Sequence, residues 1–274
     1  MSAAAAFPQA LVGVVRALVE ERTGIHYGDA DQDILTAKVL TRALEAGFES
    51  PLDYYYFLRY DDPHGREFDA LVETLVVSET YFFREARQLR VLCDEVLARV
   101  VATGRRPRVW CAAAATGEEP LTLAMLLSER GLLDRVEIVA SDISAKAIAR
   151  AKEGMYGPRS FRAIDGIDKE RWFDAVGEQS QVRAELRNAI AWRRLNLIDE
   201  VSVQGLGSFD VILCRNVLIY FDDETVRRVA SLLARSLEER GHLVVGASES
   251  LLRFGTLLTC EEREGAFFYC KAAA

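Results

Sequence analysis

Arg108-Val109-Trp110-Cys111-Ala112-Ala113-Ala114-Ala115-Thr116-Gly117-Glu118-Glu119-Pro120 reads as a short apolar strand that runs through small residues into a long apolar helix. Strand, small-residue turn and helix together open a cofactor crevice at the carboxyl edge of a parallel sheet. The turn is almost wholly Ala and Gly, so its backbone can approach a ligand closely. It holds one glycine where a dinucleotide fingerprint has three. Glu118 and Glu119 stand where a pyrophosphate docks on helix N–H groups, and they would repel it. A ligand carrying a cation and hydroxyls suits the turn better, and S-adenosylmethionine, with its sulfonium, ammonium and ribose, answers that description. Thr116-x-x-Glu119 ahead of an apolar run is equally a capping box, so both readings stand on this stretch alone.

Outward from this stretch the chain reads as two parts. From about Leu89, strands alternate with helices, the pattern of a parallel sheet covered on both faces. Val136 to Ala140, Ala191 to Leu195, Phe209 to Cys214 and His242 to Gly246 are the further strands, and Phe209 to Cys214 is apolar enough to be central. A helix is expected over Glu224 to Glu239, and Thr256 to Cys260 with Ala266 to Cys270 read as a closing hairpin. Phe161 to Arg187 interrupts the alternation and reads as an insertion, about 158–190. Ahead of this, residues 1–80 read as all helix, with Leu11, Val14, Val15, Leu18 and Val19 at helical spacing and Pro51 opening the helix of Tyr54-Tyr55-Tyr56-Phe57. The aromatic run is expected to pack in the core of that small bundle. The expected domains are thus 1–80, helical, and 81–274, an α/β domain of Rossmann-like class.

Composition excludes several function classes. At 274 residues, 50% hydrophobic and 28% charged, the chain describes an ordinary globular protein with a full core. No apolar run spans a bilayer, and Ser2 to Ala6 lacks a signal peptide's basic flank, so a cytoplasmic protein is expected. Five scattered cysteines without a C-x-x-C pair suggest buried thiols, not a disulfide framework or zinc site; no metal is expected. The net charge of −8 falls in residues 1–80, with 6 Lys/Arg against 14 Asp/Glu. That balance argues against nucleic acid, whose phosphates need a basic footprint.

Three further segments line the same strand edge. Asp142 ends the second strand, 25 positions after Gly117, where an acid suits ribose hydroxyls; helix capping is its plain alternative, although Ser144 can serve there. Asn196-Leu197 offers an amide beside an apolar surface for an adenine. Arg215-Asn216, with Tyr220 beyond, places a cation, an amide and a phenol after the central strand, where a turn and a core tyrosine are the plain alternatives.

Ser78-Glu79-Thr80-Tyr81-Phe82-Phe83-Arg84-Glu85, Cys111 to Pro120, Ser141-Asp142-Ile143 and Cys214-Arg215-Asn216-Val217-Leu218-Ile219-Tyr220-Phe221-Asp222 resemble, in order, the signatures of CheR-type chemotaxis receptor methyltransferases. The resemblance covers nearly the whole chain, and its FFRE and CRNVLIYFD strings are the most specific. It implies an N-terminal helical domain and a class I methyltransferase domain with an inserted subdomain. The implied reaction is transfer of a methyl from S-adenosylmethionine to glutamate side chains of chemoreceptors, leaving S-adenosylhomocysteine. It implies donor contacts from Thr80, Arg84, one of Glu118 and Glu119, Asp142, Asn196, Leu197, Arg215 and Asn216, with Arg84 and Tyr220 close to the transferred methyl. Two departures stand out. Ser78 occupies a position where the family usually has Asn, which makes that contact shorter or removes it. The family's N-terminal domain presents a basic helix to the receptor, whereas the corresponding helix here offers little beyond Lys38 and Arg42. A non-catalytic binding module, a different acceptor and an NAD-dependent oxidoreductase are the rival readings; a monomer is expected.

Overall fold

The computed structural model describes residues 9–163 and 169–272. They form two compact units. The first comprises the chain to Val77 together with Tyr220–Thr225; the second comprises Ser78–Ile219 and Val226 onward.

The first unit holds α1 (Gln9–Thr23), α2 (Gln32–Glu45), α3 (Pro51–Tyr56), extended by a π turn over Phe57–Asp61, and α4 (Arg66–Leu75). Ser50 caps α3 by accepting the Asp53 N–H, and Pro51 needs no partner at the first helical position. Val15, Leu18, Val19, Leu35, Val39, Leu58 and Leu71 form its core. The aromatic run divides, because consecutive residues point about 100° apart around a helix. Tyr54 is buried, whereas Tyr56 is 51% exposed and stacks on exposed Tyr60. Tyr220–Thr225 joins this unit through backbone: Ile25 and Phe221 form an antiparallel bridge, and the His26 N–H donates to the Tyr220 carbonyl at 2.8 Å.

In the second unit α5 (Ala86–Val91) runs through a π turn into α6 (Ala98–Ala102), followed by β1 (Arg108–Ala112), α7 (Glu118–Glu129), β2 (Glu137–Asp142) and α8 (Ala145–Glu153). Next come β3 (Met155–Tyr156), α9 (Lys169–Trp172), β4 (Phe173–Val176), β5 (Gln179–Val182) and α10 (Ala184–Asn188). The chain then continues with β6 (Ile190–Arg194), α11 (Glu200–Gln204), β7 (Phe209–Cys214), α12 (Asp223–Arg235), β8 (Leu237–Val245), β9 (Leu258–Arg263) and β10 (Ala266–Lys271).

Seven strands make one sheet in the order β6-β2-β1-β7-β8-β10-β9, and β3-β5-β4 make a separate antiparallel sheet. The first five strands of the large sheet are parallel, and β10 runs antiparallel beside β8. The order reverses between β1 and β7, the switch point outside which α/β sheets hold ligands. Every residue of β7 is buried, as its apolar sequence requires in the middle of a sheet. Strands β4 and β5 of the small sheet lie within the stretch expected as an insertion, whereas β3 precedes it; residues 164–168 lie outside the described residues. Two expectations shift. The helix expected to Glu239 ends at Arg235 and β8 begins at Leu237, while Cys260 is exposed.

Candidate active site

The turn after β1 is held by its own side chains. Gly117 is the N-cap of α7 at φ +94° and no side chain caps it, so the capping box does not form. Thr116 instead donates its hydroxyl to Glu118 Oε2 at 2.7 Å, and the Ser160 hydroxyl donates to Oε1 at 2.8 Å. Glu118 is thereby enclosed at 2% exposure; burial pushes its carboxyl up, against the two hydroxyls. A Cβ at Gly117 would stand 2.7 Å from Ala151 Cβ and 2.9 Å from the Trp192 ring. The missing side chain therefore faces protein, and the glycine sets the packing of the turn. Ala113 and Ala115 are left-handed at φ 55° and 47°, a conformation that costs an alanine about 1 kcal/mol.

Asp142 fixes that strained turn from the neighbouring strand. Its Oδ2 accepts the Ala115 N–H at 2.8 Å and its Oδ1 the Ser144 N–H at 2.9 Å. Ser144 caps α8 with its own hydroxyl, accepting from Ala147 N–H. The Asp142 carbonyl accepts from Leu195 N–H at 2.9 Å and brings the end of β6 alongside. There Asn196 is half-buried, with its Oδ1 accepting from Ile198 N–H, and Leu197 is buried.

Arg215 draws three of the sequence motifs together. Its side chain is 1% exposed, Nη1 donates to Glu119 Oε2 at 2.6 Å, and Nη2 donates to Glu85 Oε2 at 3.1 Å and to the Arg84 carbonyl at 2.9 Å. Burial pushes the Glu119 carboxyl up and the Arg215 charge opposes it. Arg215 Nε is buried and has no hydrogen-bond partner among the described residues. Asn216, next in the chain, is left-handed at φ 59°.

The coil ahead of α5 carries the first signature. Phe83 and Glu85 are left-handed there, at φ 62° and 48°, which makes this coil the third motif with strained backbone. The Phe83 N–H donates to the Thr122 hydroxyl and the Phe82 N–H to the Ser160 carbonyl, so the coil is pinned to α7 and to the turn before α9. Arg84 is half-buried, donates to the Glu79 carbonyl at 3.2 Å and lies 5.7 Å over the Tyr81 ring. Ser78 is exposed and Thr80 half-buried on the same coil. Tyr220 is half-buried and belongs to the first unit.

Several residues that matter here gave no signal in a reading by motif. Glu85 lies inside the first signature without a role of its own there, Ser160 lies in the stretch expected as an insertion, and Glu249 follows the last parallel strand outside every motif. The position of Glu249 just past the carboxyl end of β8 was the available signal. The thiols at the edge, Cys111 and Cys214, have pKa values pushed well above the ordinary thiol range, chiefly by burial, which makes them poor nucleophiles. In the first unit, Glu20, His26 and Asp222 each place a ligand atom within 4.8 Å of the others, but His26 and Glu20 already bond each other at 2.9 Å.

The cations of α2 are engaged inside the first unit. Lys38 Nζ donates to the Leu75 carbonyl, and burial lowers its pKa. Arg42 forms a fork on Glu67, 2.7 Å at each oxygen, and the Tyr54 hydroxyl donates to the same carboxylate at 2.8 Å.

Residues 78–265 match the family described as CheR methyltransferase, SAM binding domain, and residues 13–76 match CheR methyltransferase, all-alpha domain. Chemotaxis protein methyltransferase 2 of Vibrio cholerae is 33% identical over 86% of this chain and 84% of its own length. The chemotaxis protein methyltransferase of Escherichia coli is 32% identical over 85% and 82%. A probable biofilm formation methyltransferase, WspC of Pseudomonas aeruginosa, is 32% identical over 86% of this chain and 56% of its own.

Proposed function

The chain belongs to the CheR methyltransferase family, and on that premise we propose that it methylates glutamate side chains on the cytoplasmic helices of a chemoreceptor, using S-adenosylmethionine. The observation that carries this reading is the buried Arg215, which ties the Arg84–Glu85 coil to Glu119 at the switch point and keeps one donor over. A buried donor without a partner is costly, and the donor's carboxylate would satisfy it. Asp142 ends β2, where an acid suits ribose hydroxyls, Leu197 offers an apolar face for adenine, and Asn196 and Asn216 carry amides. Glu118 accepts a hydroxyl at each oxygen and is 2% exposed, whereas Glu119 meets Arg215 through Oε2 and keeps 16% of its side chain exposed, which favours Glu119 as the acid that meets the donor.

S-adenosylmethionine supplies an electrophilic methyl carbon and a leaving group that departs as a neutral thioether. A glutamate carboxylate is already ionised near neutral pH, so the protein has no proton to remove. Its task is alignment in a site that excludes water, which contributes several kcal/mol in well-oriented reactions, roughly 7–11 at the most favourable. Arg84 orients the incoming carboxylate through a forked contact. Tyr220 hydrogen-bonds the same group; that role rests on the resemblance of the CRNVLIYFD string. The enzyme acts as a cytoplasmic monomer, and among the described residues no helix is long and apolar enough to cross a membrane.

Arg84→Ala is expected to lower turnover at saturating donor by about a hundredfold, while S-adenosylhomocysteine affinity by calorimetry changes far less. Lost affinity with unaltered single-turnover chemistry rejects the assignment. A second reading, a different acceptor, is favoured by one observation: the two cations of α2 are engaged internally, where the family presents a basic helix.

A further inference from the structure

The loop after β8, Gly246-Ala247-Ser248-Glu249, carries no signature, yet a buried carboxylate in it holds the turn that follows β7. Glu249 is 7% exposed. Its Oε2 accepts the Asn216 N–H at 2.6 Å and the Gly246 N–H at 2.8 Å, and its Oε1 accepts the Ile219 N–H at 3.3 Å. These bonds grip the backbone at the left-handed residue of that turn and again three residues later. A Cβ at Gly246 would fall 2.5 Å from Asn216 Nδ2 and 2.8 Å from Glu249 Oε2. The Asn216 amide therefore lies across a position that only glycine can occupy without a shift. Glu85 adds a second tie, accepting the Ala247 N–H while it receives Arg215 Nη2.

We infer that Glu249 is a positioning residue for methyl transfer: its carboxylate, through the backbone N–H groups of Asn216 and Ile219, sets the Arg215-Asn216 turn that holds the methyl donor. The inference rests on the reading that this turn contacts the donor. Charge and valence explain why a glutamate stands there. A carboxylate presents two acceptor oxygens to several converging N–H donors, whereas a glutamine presents one and turns its NH₂ against the others. Glu249 touches no reacting atom, so its effect belongs to donor affinity, through Asn216.

The test is a mutant cycle read by calorimetry with S-adenosylhomocysteine, on wild type, Glu249→Gln, Asn216→Ala and the double variant, with KM for the donor and kcat measured beside it. Glu249→Gln is expected to weaken binding about tenfold, as befits a lost set of charged hydrogen bonds. The donor KM rises, while kcat at saturating donor moves less. In the double variant the loss is expected to fall well short of the product of the single losses, because both changes act on one turn. Wild-type affinity in Glu249→Gln, or losses that simply multiply, overturns the inference. If Glu249→Gln does not fold, Gly246→Ala, which intrudes on the Asn216 amide, replaces it in the cycle with the same readings. A wild type that binds no S-adenosylhomocysteine overturns the site reading and the inference with it, whereas a binding wild type with an indifferent cycle overturns the inference alone.

Discussion

Arg215 in the methyltransferase unit and Arg42 in the helical unit are built from the same parts and finished differently. Arg42 meets Glu67 in a two-bond fork, Tyr54 adds its hydroxyl, and the cluster is closed. Arg215 is the more deeply buried, with 1% of its side chain exposed against 22%, and, although each arginine meets two carboxylates, it alone of the two keeps a buried Nε–H over. A closed cluster serves the fold. A cluster with a donor in excess at a switch point, among left-handed Phe83, Glu85, Ala113, Ala115 and Asn216, is what the proposed donor site calls for. The difference also recasts the departure from the family in the helical unit: α2 carries cations, but its own unit uses them.

The contrast breaks or sharpens with substitution. Arg215→Leu strands Glu119 and Glu85 and is expected to cost about 3–5 kcal/mol of stability and to abolish S-adenosylhomocysteine binding; chemical denaturation and calorimetry check both. Arg42→Leu leaves Glu67 to the Tyr54 hydroxyl in a half-buried place. It is expected to cost about 1–3 kcal/mol with ligand affinity unchanged, and a parallel loss of affinity would dissolve the distinction. Lys38→Ala is the smallest change. Stability is expected to fall by about 0.5–1.5 kcal/mol for one hydrogen bond, and KM for a receptor fragment should stay within about twofold. A large rise in that KM would return α2 to docking.

Much of the methyltransferase unit was legible because parallel strands read as apolar runs, and because Asp142 and Arg215 fall where strands end. What stayed hidden depends on contacts between distant residues. Thr116-x-x-Glu119 has the form of a capping box, but Thr116 turned to Glu118, and Glu119 to an arginine 96 residues away. Glu249 acts on Asn216 from 33 residues away, and nothing local distinguishes it from a surface acid. Leu237 to Glu239 read as the end of a helix, yet they lie in β8, where Leu237 pairs with Phe209 and the register shifts before His242 meets Val211. In the helical unit the helices were legible by period, while the engagement of Lys38 and Arg42 was not, since both lie on an amphipathic helix whose neighbours sequence does not name.

The account stands most directly on where the methyl goes. Incubation of the purified protein with tritium-methyl S-adenosylmethionine and a chemoreceptor cytoplasmic fragment is expected to label the receptor with methyl groups that mild alkali releases as methanol, the behaviour of a glutamyl ester. No label, or a label that resists alkali, would contradict it.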